Sequence, residues 1–282
     1  MDIAKNYMNA PITISNTSNL SKVLKKIIDE KKSRFLVTDN GNITKIITEK
    51  DLGLFLLSDT TERKLDEISI EEISKKIKSI DENTPLNKCA QQMLEAGIGS
   101  LAIKSNEKIV GIITKSDLVR YFANSHLQEK IVGEYMSPYY AWQYSDSSIS
   151  KIVLKMIDEK ISRIILRDHD ENPIGIVTFR DLFNLSLKLG EEEDVLDNSD
   201  PLISVIFPRK GFISESGFGG TTKVSEIMSP KIVSVQYDDD LAKTGQLLLD
   251  RNINGAGVLS NNNNLIGIIS KTDMVKALAF LK

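Results

Sequence analysis

Hydrophobic residues recur along this chain in one order, four times over. A helical stripe is followed by two short aliphatic runs and then by a second helical stripe. The first stripes carry the 3.6-residue period of an amphipathic helix. They fall at Leu20, Val23, Leu24, Ile27 and Ile28; at Leu86, Cys89, Ala90, Met93 and Leu94; at Ile149, Ile152, Val153, Met156 and Ile157; and at Leu241, Leu247 and Leu248. Each has a start signal: Thr17 or Ser18, Thr84 with Pro85 at the first helical position, Asp146 to Ser148, and Asp238 to Asp240. Cys89 and Met93 lie on an apolar face and read as core. The aliphatic runs pair as strands 34–38 with 43–47, 100–103 with 108–113, 163–166 with 174–177, and 257–259 with 265–269. Turn-rich residues separate each pair, as in 39–42, 168–172 and 261–264.

The second run of each pair ends on a shared motif. Gly267-Ile-Ile-Ser270-Lys-Thr-Asp273, Gly111-Ile-Ile-Thr114-Lys-Ser-Asp117 and Gly175-Ile-Val-Thr178-Phe-Arg-Asp181 are close copies. Lys45-Ile-Ile-Thr48-Glu-Lys-Asp51 lacks only the glycine. A hydroxyl at a strand end caps the helix that follows, and an acid in the first turn suits the positive end of the dipole. The same pair, facing a cleft, can also hold the two hydroxyls of a ribose, with helix-end N–H groups nearby for phosphate. Both readings stand for each copy.

Linkers mark where repeats begin. Lys5 to Pro11 opens the first, Val132 to Pro138 the third and Val224 to Pro230 the fourth. The second begins more loosely around Lys76 to Ile80. Forty-two positions separate Met136 from Thr178, and the same number separate Met228 from Ser270. Spacing between successive motif aspartates is 66, 64 and then 92 positions. The excess lies in 190–221, read as a connector or, alternatively, as a flap that covers a partner or ligand. Its Gly217-Phe-Gly-Gly220 is followed by no Gly-Lys-Ser/Thr, so a phosphate loop is not indicated. A smaller charged excursion, 59–74, has a helical look. A unit of short strands and two helices cannot bury its sheet alone, and pairing two units closes the core.

The formal charge is -3 with charges spread evenly, which argues against a non-specific nucleic-acid binder. A single cysteine excludes an intramolecular disulfide framework. The apolar runs are too short to cross a bilayer, and Asp2-Ile-Ala-Lys5 begins no apolar signal, so a soluble cytoplasmic protein is expected. His126 and His169 are isolated, and no metal site is expected. Tyr139, Tyr140, Trp142 and Tyr144 either flank a base or pack on a neighbouring repeat.

With four strand-Ser/Thr-x-x-Asp endings and the Met-Ser-Pro openings, the chain resembles proteins with four CBS domains arranged as two tandem Bateman modules. The layout is similar to archaeal stand-alone relatives of the gamma subunit of AMP-activated protein kinase. The resemblance implies an α+β fold of four repeats, each with a short three-stranded sheet and two helices. They would lie at about 5–60, 75–125, 130–189 and 222–282, in modules 1–127 and 128–282 that stack as a flat disc. It also implies a non-catalytic regulatory role, with an adenosyl ligand (AMP, ADP, ATP or S-adenosylmethionine) rather than a cofactor.

The family's ribose role carries to Thr114 with Asp117, Thr178 with Asp181, Ser270 with Asp273, and Thr48 with Asp51, where Lys45 either crowds the cleft or sits outside it. Phosphate contacts in the family come from basic residues facing the central cleft. They carry here to Arg34 and Arg163, and at lower rank to Lys115, Arg180 and Lys271. Repeats two and four have glycine-rich segments (96–99 and 254–257) where the others have Arg34 and Arg163. One or two occupied sites are expected, favouring repeats two and four. A protein partner is expected, with the chain as monomer or homodimer. The alternative is a scaffold with empty or structural clefts.

Overall fold

The computed structural model describes residues 2–30, 32–59, 61, 63–182, 185 and 218–281. Of the connector expected at 190–221, residues 190–217 lie outside the described residues. Repeat one comprises β1 (Thr13–Ser15), α1 (Leu20–Glu30), β2 (Arg34–Asp39), β3 (Asn42–Thr48) and α2 (Glu49–Ser58), followed by β4 (Lys75–Lys76). Repeat two has β5 (Ser79–Asp81), α3 (Leu86–Glu95), β6 (Ser100–Ser105), β7 (Lys108–Thr114) and α4 (Lys115–Ser125). Repeat three has β8 (Trp142–Tyr144), α5 (Ile149–Asp158), β9 (Arg163–Arg167), β10 (Pro173–Thr178) and α6, which opens over 179–182. Repeat four has β11 (Ser234–Gln236), α7 (Leu241–Asp250), β12 (Gly255–Leu259), β13 (Leu265–Ser270) and α8 (Lys271–Ala279).

All four sheets share one plan. A short first strand runs parallel to the second, and the second and third form an antiparallel hairpin. The predicted hairpins are present, each a little longer than the apolar run that marks it. Sheet one departs from the plan, because β4 adds a fourth strand to the edge of β3.

Helix starts follow the sequence in two repeats and differ in two. Ser148 accepts from Lys151 N, and Asp240 accepts from Lys243 N at 2.7 Å. In repeat one the cap is Asn19, whose Oδ1 accepts from Lys22 N, in place of Thr17 or Ser18. In repeat two Pro85 itself takes the cap position, and Thr84 supplies no side-chain cap. Pro85 has extended backbone geometry there, and its missing N–H costs the helix nothing. The charged excursion after repeat one contains two single 3-10 turns, Leu65–Glu67 and Ile70–Glu72.

The chain folds into two compact units. One comprises 1–11, 77–140 and 232–282, and so holds repeats two and four; the other comprises 12–76 and 141–231, and holds repeats one and three. In the first unit the helices of repeats two and four share one core, with Cys89, Met93, Phe122, Leu248, Met274 and Leu278 all buried in it. A Cβ added at Gly245 of α7 would lie 3.2 Å from both Val119 of α4 and Met274 of α8, which shows how closely these helices approach. In the second unit, Leu20, Leu24, Phe35 and Leu52 anchor the core of repeat one, and Ile152, Val153, Leu166 and Leu182 anchor that of repeat three. Among the described residues, no helix is long and apolar enough to cross a membrane.

The openings do not stay with the repeats they introduce. Asn9 bridges Ile112 of β7, Ser137 bridges Ile268 of β13, and Ser229 bridges Ile176 of β10. The methionine before each bridge lies over the motif glycine of that strand. A Cβ on Gly111 would sit 2.5 Å from Met8 Sδ, on Gly175 2.7 Å from Met228 Sδ, and on Gly267 3.2 Å from Met136 Sδ and 2.5 Å from the Ser137 carbonyl. The motif glycine is therefore explained by the strand clamped across it. Lys45, in the repeat without it, pairs with Glu71 and lies beside β4, where no methionine has to fit.

Candidate functional site

The Ser/Thr-x-x-Asp motif builds the same small structure four times. In repeat two the Thr114 N–H and hydroxyl donate to Asp117 Oδ2 at 2.9 and 2.7 Å. Thr178 holds Asp181 Oδ2 at 2.7 and 2.6 Å, and Ser270 holds Asp273 Oδ2 at 2.9 and 2.7 Å. Thr48 donates to Asp51 Oδ2 in the same way. The carboxylate is thus fixed at a strand end and a helix N-terminus, where the dipole favours its charge. Asp117 and Asp273 are only 7% and 5% exposed. Capping and ligand binding are not exclusive readings, because the cap occupies one carboxylate oxygen and leaves the other for a further donor.

The second oxygen distinguishes the repeats. Asp117 Oδ1 accepts from Arg120 at 3.1 Å, and Asp273 Oδ1 accepts from Lys276 at 3.0 Å, each one turn along the same helix. Asp51 Oδ1 accepts from Lys75 of β4 at 2.5 Å. Among the described residues, the second oxygen of Asp181 has no cationic partner. Sequence reasoning did not single out these three cations. The i+3 spacing of Arg120 and Lys276 from their aspartates was a readable signal; Lys75 is brought in only by the sheet.

The basic candidates divide by unit. Arg34 and Arg163 are half-buried, each directly opposite its motif hydroxyl in the sheet register, Arg34 to Thr48 and Arg163 to Thr178. The equivalent positions opposite Thr114 and Ser270 are Ser100 and Gly255. In that unit the cations come instead from the helix starts, which cross. Lys115 Nζ donates to Thr272 Oγ1 at 2.9 Å, and Lys271 Nζ donates to Ser116 Oγ at 3.3 Å. Lys271 is only 7% exposed, so a helix-start lysine that usually points to water is here drawn inward. In the other unit Arg180 pairs with Glu49, and Phe179 packs on Gly53, where an added Cβ would lie 2.4 Å from the ring.

The aromatic group after the third opening is split by the fold. Trp142 and Tyr144 meet edge to face within repeat three; Arg167 lies 4.8 Å over the Trp142 ring, and Tyr144 stacks on His169. Tyr139 is 87% exposed. Cys89 is buried, and desolvation pushes its thiol up to about 12, which makes it unreactive. His126 stacks on Phe122 and bonds Glu129. Among the described residues, no group of three or more metal-ligating side chains converges.

The model of the CBS domain matches this chain four times, over 4–57, 69–124, 132–188 and 224–280. The chain belongs to the CBS domain family. Among its relatives, protein MJ1404 of Methanocaldococcus jannaschii is 25% identical over 277 residues, covering 96% of this chain and 60% of that protein. This chain therefore spans less than two thirds of MJ1404. Protein MJ1225 of the same organism is 21% identical, over 99% of this chain and 98% of its own length. The crystal structure of MJ1225, described as a proposed archaeal homolog of g-AMPK, has a TM-score of 0.79 at 17% identity, covering 99% of this chain and all of that one. A protein from Pyrococcus horikoshii has a TM-score of 0.66 at 20% identity over 98% of this chain and all of that one. These structural likenesses are of fold. Four CBS repeats of the expected type are present.

Proposed function

We propose that this CBS protein is a non-catalytic regulatory sensor of an adenine nucleotide, AMP, ADP or ATP, that passes its ligand state to a partner protein. The observation that carries the reading is the fourfold Ser/Thr–Asp pair, whose carboxylate is fixed by the cap through one oxygen, while the second, paired with an exposed cation in repeats one, two and four, has a further lone pair for a ribose hydroxyl. Thr114 with Asp117 and Ser270 with Asp273 are the favoured pairs. Lys115 and Lys271, crossing between the starts of α4 and α8, are suited to a phosphate, since two ammonium groups and two helix N-termini add their positive potential in one place. Arg34 and Arg163 are the equivalent candidates in the other unit. A ligand signals only through differential affinity for two states, and the clamped openings, which tie one repeat's edge to another's entry segment, are where such states would differ.

Calorimetric titration with AMP, ADP, ATP and S-adenosylmethionine tests the ligand class. The expected result is micromolar binding of at least one adenine nucleotide. Lys271→Met separates the phosphate from the nucleoside: AMP should weaken about tenfold or more, because a charged hydrogen bond is lost, while adenosine is unaffected. Equal loss for both ligands would remove Lys271 from the phosphate role. Absence of binding to all four ligands, in protein freed of carried-over ligand, would overturn the sensor and leave the scaffold reading.

A further inference from the structure

Each hairpin meets an opening segment at one equivalent position, two residues before the motif hydroxyl. Ile112 faces Asn9, Ile268 faces Ser137, Ile176 faces Ser229, and Ile46 faces Lys75. Lys75 is therefore the counterpart of three short, uncharged side chains. It is also the member of this set whose side chain reaches the motif carboxylate, ion-pairing with Asp51 Oδ1 at 2.5 Å. The exchange is coordinated with its neighbours. Where the other openings place methionine over glycine, this one has Ser74 before Lys75; Lys45 stands at the glycine position, opposite Lys76, and turns to Glu71. Arg63 holds Glu72 through two bonds of 2.9 and 3.0 Å, which anchors the turn just before Lys75.

We propose that Lys75 is a specificity-determining residue that occupies the ribose-binding carboxylate of the first CBS repeat from within, leaving that repeat the weakest of the four for adenosyl ligands. The inference rests on the nucleotide reading above. A ribose held by an aspartate donates its hydroxyls to carboxylate lone pairs. In Asp51 one oxygen serves Thr48 and the other serves the lysine, whose ammonium donates to the lone pairs that the ribose would use. Asp117 and Asp273 also carry a cation on the second oxygen, but Arg120 and Lys276 stand one turn along the motif's own helix, whereas Lys75 comes from the segment laid across the hairpin, where repeats two and four have the uncharged Asn9 and Ser137. The Lys75 side chain is 67% exposed, so the pair is one that a ligand can displace at modest cost.

The test is AMP calorimetry on the full chain, comparing the native protein with Lys75→Gln and with Lys75→Gln combined with Asp51→Asn. Thermal unfolding confirms that each variant folds, and Lys75→Ala serves as a second charge removal. Removing the lysine should tighten the weakest AMP event by about two- to fivefold, the range of an exposed ion pair. Asp51→Asn in that background should then abolish the same event. An unchanged weakest event would overturn the proposal. So would a weaker one, which would make Lys75 a ligand contact. No AMP event in any folded variant would instead overturn the nucleotide reading, and this inference with it.

Discussion

The two compact units carry the same motif and place different chemistry around it. In the unit of repeats two and four, the helix starts bear Lys115 and Lys271, each reaching a hydroxyl of the other helix. In the unit of repeats one and three, the equivalent first positions are Glu49 and Phe179; the former pairs with Arg180 and the latter packs against Gly53. One unit thus gathers positive charge at its helix starts, whereas the other neutralises charge and fills space. The difference teaches that a repeated capping motif fixes the frame, while the two residues inside it decide what each repeat is suited to hold.

The comparison is most strongly sharpened at Phe179. If this ring is packing, Phe179→Ala should cost about 3–5 kcal/mol of stability, measured by denaturant unfolding. A loss below about 1 kcal/mol would show that the unit does not depend on the contact. Next in size are the clamped glycines. Gly111→Ala, Gly175→Ala and Gly267→Ala should each cost about 1–3 kcal/mol through overpacking against methionine or backbone. Lys45→Ala should cost less than about 1 kcal/mol, since an exposed ion pair is all that is lost. Equal losses at all four positions would contradict the assignment of the glycine to the clamp.

The smallest effect is a pH dependence. Hydrogen bonds from Arg63 hold the Glu72 carboxyl below its ordinary value. A depressed carboxylate contributes stability above its unfolded pKa and loses it as pH falls through the lowered folded value. Glu72→Gln should therefore lower stability slightly at neutral pH and converge with the native protein in acid, which flattens the acid limb. A steeper acid limb in the variant would contradict that sign.

Most of the fold was legible because its cues are local. The helical stripe Ile149, Ile152, Val153 and Met156, the hairpin turns and the Thr114–Asp117 cap all lie within a few residues of what they organise. The exchange of openings was not legible. Met8 and Gly111 are separated by about a hundred residues, and no periodicity joins them. The second repeat was read as beginning loosely around Lys76 to Ile80, without a Met-Ser-Pro opening, yet in the sheet Lys75 occupies the same position as Asn9. The Ser/Thr–Asp pairs were legible as motif positions, but their surroundings were not: nothing in the local pattern says that Lys271 is buried or that Lys75 reaches Asp51. Long side chains find partners that only the folded chain supplies.

The central claim is that nucleotide binding centres on repeats two and four. It is tested most directly by AMP calorimetry on two double variants, Asp117→Asn with Asp273→Asn, and Asp51→Asn with Asp181→Asn. Asparagine keeps a cap acceptor while removing the charge. Loss of the tightest binding in the first pair, and its retention in the second, is the expected result. Retention in the first pair, with loss in the second, would contradict the account.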